Sequence, residues 1–241
     1  MYHSVYFGNM NTFSDWHLVP DSRPVIIQPE TKVNTVDIPG GQGLLDLSEV
    51  LTNYPLYSNR SGSLSFNVLN GYGDWKDRHQ EIANYIHGKN LTMMLEDDPD
   101  WYYEGRFKFS WESPNDGTWS KVTIDYDLDP FKYSTEIYST SITSYSNNSK
   151  IVSIPFDGIS MPVVPFIVID TMNAASLTFA IENPELNIGF DDYSETIGIA
   201  GTTFLYTLPL SNMSGSNACR LKVTTSGTAT TFTINYRKAA L

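Results

Sequence analysis

The sequence is short of cysteine, of positive charge and of long apolar runs, and each shortage closes off a class of protein. Its one cysteine, Cys219, has no partner for an internal disulfide, and the neighbours Ala218, Arg220 and Leu221 suggest a small side chain on a strand rather than an activated thiol. Lys and Arg number 15 against 27 Asp and Glu, a formal net charge of −12 with a pI near 4.6. Affinity for a phosphate backbone comes from cations that release condensed counterions, so no clamp on nucleic acid is expected. An acidic surface still lets a polyanion pass without holding it. The longest apolar run, "MPVVPFIVI" at 161–169, holds two prolines and is far below the roughly 20 residues that span a bilayer, so no membrane segment is expected. The opening "MYHSVYFGNMNTFSDW" lacks a basic start and an apolar stretch, which argues against an export signal. The histidines His3, His17, His79 and His87 make no metal-ligand spacing, and neither His-Glu-x-x-His nor Gly-x-Ser-x-Gly occurs. No metal, no cofactor and no nucleophilic catalysis is expected.

What is present favours pleated surfaces. Aromatic residues make up 13% of the chain, Thr, Ser and Tyr abound, and stretches rich in Ala, Leu, Glu and Lys are few, so the fold reads as mainly β. A length of 241 residues suits two domains better than one. Leu64, Phe66 and Val68 alternate with polar neighbours, as do Phe107, Phe109 and Trp111, and Val122, Ile124, Tyr126 and Leu128; each run is a half-buried strand. "ESPNDGTW" between the last two carries the turn residues of a hairpin. One helix is predicted in "GDWKDRHQEIANYIHGK": Asp74 caps it, Trp75, His79, Ile82, Ala83 and Ile86 share a face, and Gly88 suits the left-handed stop. A shorter helical turn is predicted in "DLSEVLTNY", capped by Asp46 or Ser48. The polar run "STSITSYSNNSK" reads as a linker over 139–149, dividing a domain of 1–138 from one of 150–241. Six strands at sandwich spacing are predicted in the second domain, near 152–156, 165–172, 176–181, 203–208, 220–225 and 230–236.

Three motifs invite a sharper chemistry. Gly71-x-Gly73 follows a strand and opens the helix, but the third glycine of a dinucleotide fingerprint is missing and Asp74 would repel a pyrophosphate, so a capped strand-to-helix turn is preferred. Asp125, Asp127 and Asp129 imitate a calcium loop, yet Pro130 stands where such a loop needs glycine, and the three lie on the polar face of a strand. "LEDDPDWYYEGRFKFSW" at 95–111 sets Glu96, Asp97, Asp98, Asp100 and Glu104 among Trp101, Tyr102 and Tyr103. A glycosidase needs two carboxyls facing each other roughly 5 to 9.5 Å apart, usually from different strands. Here the acids crowd one turn around Pro99, which fits a hairpin reversal. Trp101 and Tyr102 are the candidate glycan contacts, since aromatic faces stack on sugar rings.

The order "IPGGQGLLDLSEVLTNYPLYSNRSGSLSFNV", then the capped helix, then "LEDDPDWYYEGRF", then a strand closing on "DLDPFKY", resembles the N-terminal domain of siphophage distal tail proteins. The matching positions are Asp46, Tyr57, Arg60, Phe66, Trp75, Asp98, Tyr103, Gly105, Asp129 and Pro130. The resemblance implies an N-terminal β-sandwich or barrel with one α-helix and long hairpins, and a C-terminal jelly-roll sandwich like those of galectins and carbohydrate-binding modules. It further implies a structural protein without catalysis: a baseplate hub whose copies form a hexameric ring between the tail tube and the tail tip, meeting the tail tube protein, a tail-associated protein and receptor-binding or side baseplate proteins. DNA would pass through the pore without specific binding. The implied location is the virion tail tip of a phage or prophage, after synthesis in the host bacterial cytoplasm. The long hairpins at 91–111 and 106–128 are the expected ring contacts. The alternative is a carbohydrate-binding module or glycan-recognising adhesin.

Overall fold

Alternation of apolar and polar side chains lays down the first sheet, as seen in a computed structural model that describes residues 2–50, 55–69, 75–112, 120–144, 149–153, 161, 163–171, 174–182, 189–190, 194–198, 201–204, 220–227 and 230–241. The chain divides into two compact units, the first built mainly from Met1–Ser48 and Pro55–Thr135, the second mainly from Glu136–Ala240.

The first unit runs β1 (Val5–Phe7), β2 (Met10–Asn11), β3 (Leu18–Pro20), β4 (Thr35–Asp37), β5 (Leu44–Asp46), β6 (Arg60–Val68), α1 (Trp75–Ile86), β7 (Asn90–Leu95), β8 (Trp101–Glu112), β9 (Lys121–Leu128) and β10 (Lys132–Ser134). Its main sheet has the antiparallel order β2-β1-β7-β8-β9-β6-β3, with β10 beside β8. Leu64, Phe66 and Val68 of β6, Phe107 and Phe109 of β8, and Val122, Ile124, Tyr126 and Leu128 of β9 turn to one face, where Val5, Phe7, Trp16, Met93 and the helix residues Ile82 and Ile86 complete the core. Phe7 meets Phe107 edge to face at 5.1 Å. Of the predicted stripe the helix buries His79, Ile82 and Ile86 and half-buries Ala83, with His79 against Ser120 at 3.4 Å and stacked on Trp111 at 4.5 Å. It ends where Gly88 adopts φ +75 and gives its N–H to the Phe107 carbonyl.

The opposite face of β8 and β9 is polar in an ordered way. Arg106 stands opposite Asp127, Lys108 opposite Asp125 and Glu112 opposite Lys121. Opposed charges at directly facing positions are favourable, so the alternation that fills the core on one side zips charges on the other.

The second unit holds β11 (Tyr138–Ser144), β12 (Ser149–Ser153), β13 (Phe166–Thr171), β14 (Ala174–Glu182), β15 (Ser194–Ile197), β16 (Gly201–Phe204), β17 (Arg220–Gly227) and β18 (Thr230–Tyr236). They form two four-stranded sheets, β11-β18-β13-β16 and β12-β17-β14-β15, which is the strand order of a jelly roll. Phe179 of one sheet meets Phe232 of the other edge to face at 5.3 Å, both fully buried, beside Leu177, Val223, Ile167 and Ile234. The protein is thus mainly β with one described helix, as its sequence leads one to expect.

Several expectations give way in detail. The predicted linker at 139–149 contains the first strand of the jelly roll. Ser139 to Ser144 pair with β18 in unbroken register, and Ser139 Oγ donates to Asn235 Oδ1 at 2.6 Å. Hydroxyl side chains satisfy each other along this edge, so the strand carries no apolar alternation. Of the helical turn predicted in "DLSEVLTNY", Asp46 ends strand β5 and its Oδ1 accepts the Ser48 N–H at 2.9 Å, residues 48–50 form a turn, and 51–54 lie outside the described residues. The predicted cap Asp74 with Gly71 and Gly73, the hairpin turn at 113–119, and Cys219 lie outside the described residues.

Candidate functional site

Between β3 and β6 the chain leaves the main sheet, goes out, reverses and returns. Glu30 and Ser58, and Lys32 and Leu56, are joined by backbone hydrogen bonds of 2.8 and 2.7 Å, with Thr31 bridged to Tyr57. Further out, β4 and β5 pair as a two-stranded sheet of their own. The reversal at "IPGGQG" uses Gly40 and Gly43 at φ +81 and +83, which side-chain-bearing residues rarely adopt. Asn34 closes the base of this hairpin, receiving the Leu47 N–H on its carbonyl and giving its own N–H to Ser48 Oγ, both at 2.8 Å.

This arm is apolar and uncovered. Val33 is 68% exposed, Leu44 65% and Leu45 47%, and Val25, Ile27, Val36, Ile38 and Leu56 are also exposed. Every residue of β4 and β5 is exposed. A lone two-stranded ribbon is marginal in water, and a run of exposed branched side chains marks an interaction surface. The hairpins at 91–111 and 106–128 turn their apolar sides into the core and the charged ladder outward.

The arm's root gathers most of the residues that the resemblance singles out. Arg60, the first residue of β6, is 2% exposed. Its Nε donates to the Pro130 carbonyl at 2.8 Å, and its Nη1 reaches the Ile27 carbonyl at 3.4 Å and Gln28 Oε1 at 3.5 Å. The guanidinium lies 5.4 Å from the centroid of the Tyr103 ring. Burial lowers the Arg60 pKa and raises that of the Tyr103 phenol. Tyr57 on the returning strand meets Phe131 edge to face at 5.9 Å. Tyr126 crosses over Gly62, where an added Cβ would meet its phenol oxygen and sit 2.6 Å from its Cζ. That phenol accepts the Ile27 N–H at 3.5 Å. Gly105 likewise lets β8 close on β9: a Cβ there would strike the Asp127 carbonyl and lie 2.6 Å from the Leu128 Cα. Phe66 belongs to the core, and Trp75 opens the helix.

The acidic hairpin is a set of ties. Glu96 Oε2 accepts from the Ser4 N–H at 2.7 Å and from Ser4 Oγ at 3.0 Å. Asp97 sits 2.9 Å from His3 Nδ1 and 2.8 Å from Arg23 Nε; those two partners hold its pKa below the ordinary value, His3 foremost. Asp98 pairs with Lys132 Nζ at 2.7 Å, whose ammonium also lies 5.0 Å from the Trp101 ring. The Asp100 carbonyl accepts from the Thr135 N–H at 2.9 Å. Tyr102 packs obliquely on Tyr133 at 5.9 Å. Asp129 is the one described carboxyl whose pKa is raised, by burial first and by the Glu104 charge second. Its Oδ2 accepts from the Tyr133 phenol at 3.5 Å, and burial raises that phenol's pKa as well. A groove of about 350 Å³ lies elsewhere, between residues 20–25 and 63–66, and its charged side chains Asp21 and Arg23 are paired with Lys121 and Asp97. Among the described residues no three His, Cys, Asp or Glu converge as metal ligands, and no helix is long and apolar enough to cross a membrane.

The arm escaped sequence reasoning because its apolar residues neither alternate cleanly nor recur at helical spacing. The "PGGQG" turn between Val36 and Leu45 was the available signal.

No family model matches the chain, and no curated protein matches it. Among solved structures, the SPP1 Dit (gp 19.1) protein, described as a paradigm of the hub adsorption apparatus in phages that infect Gram-positive bacteria, aligns over 99% of this chain and 99% of its own, with TM-score 0.57 and 13% identity. RmlC from Streptococcus suis, solved with dTDP-D-xylose, aligns over 65% of this chain and 73% of its own, with TM-score 0.27 and 8% identity. The chain has the fold of a phage hub protein from end to end.

Proposed function

We propose that the protein is a structural component of a siphophage or prophage tail tip, a hub ring joining the tail tube to the tip and the receptor-binding apparatus, with the arm as the element that laps onto the next copy. The likeness of fold to SPP1 Dit over the whole of both chains carries this reading. The uncovered arm supports it from within the molecule. A contact from one copy's arm to a different surface on the next is heterologous, and heterologous contacts close into rings when the rotation allows. A hexamer and contacts with the tail tube protein, a tail-associated protein and side proteins belong to the same proposal. The net charge of −12 suits a pore wall that does not hold passing DNA. The commitment of Glu96, Asp97 and Asp98 to structural partners favours a protein without catalysis.

Mass photometry and negative-stain microscopy over a dilution series test the reading. Rings of six copies that dissociate on dilution are the expected result. A monomer at every concentration up to the solubility limit, with and without tail tube protein, refutes it.

A second reading, glycan recognition, is favoured by the half-exposed Trp101 and Tyr102 beside the acidic turn. Binding of the full chain to a glycan array, lost on Trp101→Ala, is its signature; a silent array removes it.

A further inference from the structure

Arg60 is a buried cation without a carboxylate partner among the described residues. Three of its contacts are with oxygen atoms of Pro130, Ile27 and Gln28, and its Nη2 has no hydrogen-bond partner. Desolvating a guanidinium is expensive, and replacing a buried charge by an apolar side chain of similar size is often neutral or stabilising. Cohesion of the core therefore gives a poor reason for an arginine here. What an arginine adds is direction, because its donors form a rigid planar fork where a lysine offers a single swivelling ammonium.

The guanidinium joins Pro130 to the stretch that leads into the arm. Arg60 Nη1 reaches the carbonyl of Ile27, and the Tyr126 phenol receives the N–H of the same residue. Both polar groups of Ile27 are thus held by side chains rising from adjacent strands β6 and β9. Ile27 lies three residues before the Glu30–Ser58 hydrogen bond that closes the ribbon. The hold on Pro130 is short at 2.8 Å and the two on the arm are long at 3.4 and 3.5 Å. The guanidinium is thereby held more closely to Pro130, just past β9, than to the arm.

We infer that Arg60 is the positioning residue of the arm, the group that sets the angle at which the ribbon leaves the sheet and so decides whether its apolar tip meets a second copy of the chain. This rests on the ring reading, but it has a readout of its own. The test compares Arg60→Met and Arg60→Lys with the parent chain in three measurements: thermal midpoint, amide hydrogen exchange at Ile27 and across 30–32 and 56–58, and the concentration of half-assembly. Arg60→Met is expected to melt no lower than the parent, while exchange at the root quickens and the half-assembly concentration rises, each by at least about tenfold, since both guanidinium hydrogen bonds to the arm are lost. Arg60→Lys is expected to show the same losses, since it keeps the charge and not the fork.

Variants that exchange and assemble like the parent overturn the proposal. So does Arg60→Met losing thermal stability and assembly in proportion, because that is the mark of a general packing role. If the parent chain itself never assembles, the ring reading falls, and exchange at Ile27 still decides whether Arg60 sets the arm.

Discussion

Replacing Leu44 and Leu45 together by serine probes the arm where it is most exposed. The two side chains keep 65% and 47% of their accessible surface in the single chain. Full burial of a leucine is worth about 1.5–3 kcal/mol, so what remains to be gained on covering both comes to about 2–3 kcal/mol. Every 1.4 kcal/mol is tenfold in an equilibrium constant, and the double variant should raise the dissociation constant between neighbouring copies by a factor of roughly 30 to 150. The same pair contributes little to the fold of the isolated chain, because exposed substitutions away from special features stay within about 0.5 kcal/mol. Mass photometry over a dilution series gives the first quantity and urea unfolding the second. An unchanged dissociation constant refutes the assignment of the arm as the contact. A large fall in the unfolding midpoint refutes the claim that the arm is uncovered in the monomer.

Gly105→Ala should cost about 3 kcal/mol by urea unfolding, since its methyl group has only the Asp127–Leu128 backbone to displace; a variant as stable as the parent places β8 and β9 wrongly. Phe232→Ala should cost about 3–5 kcal/mol by opening the space beside Phe179, read as a loss of near-ultraviolet circular dichroism at lower urea. Asp129 has a raised folded-state pKa, so in the window just above the ordinary 3.8 the folded chain holds the extra proton. Its contribution is unfavourable at neutral pH and relieved as pH falls through the folded value. Asp129→Asn should accordingly unfold later than the parent at pH 7 and lose that advantage on acidification. Asp97 has the opposite sign: its stabilisation by His3 and Arg23 is present above 3.8 and lost as pH falls through its lowered folded value. Asp97→Asn should unfold earlier at pH 7, and the difference should close only as pH falls below 3.8 and through the lowered folded value.

What the sequence announced and what it hid divide along physical lines. β6, β8 and β9 were legible because each has one buried and one exposed face, and the helix because His79, Ile82, Ala83 and Ile86 recur at its period. The 95–111 hairpin was legible from Pro99 and its short acids, and its carboxylates do serve as ties. β11 was hidden because an edge strand held by Ser, Thr and Asn hydroxyl and amide bonds needs no apolar stripe. β1 to β3 were hidden because strands of two or three residues are too short for periodicity to register, although Val5, Phe7 and Leu18 are all fully buried. At the arm's root, Arg60, Tyr103, Gly105, Asp129 and Pro130 were visible as a resemblance. The meeting of Arg60 with Ile27, Pro130 and the Tyr103 ring was not, since a separation of 33 residues from Ile27 and 70 from Pro130 conceals it.

The rungs of opposed charge along β8 and β9 leave that broad flank electrically quiet. Arg106, Lys108 and Lys121 each stand opposite a carboxylate across the two strands, so the flank presents alternating rather than single-sign charge. Under the proposed ring, contact through the ribbon of β4 and β5 is hydrocarbon rather than ionic. Since salt weakens exposed charge pairs and leaves hydrocarbon burial intact or stronger, such a particle should hold together in brine as firmly as in dilute buffer.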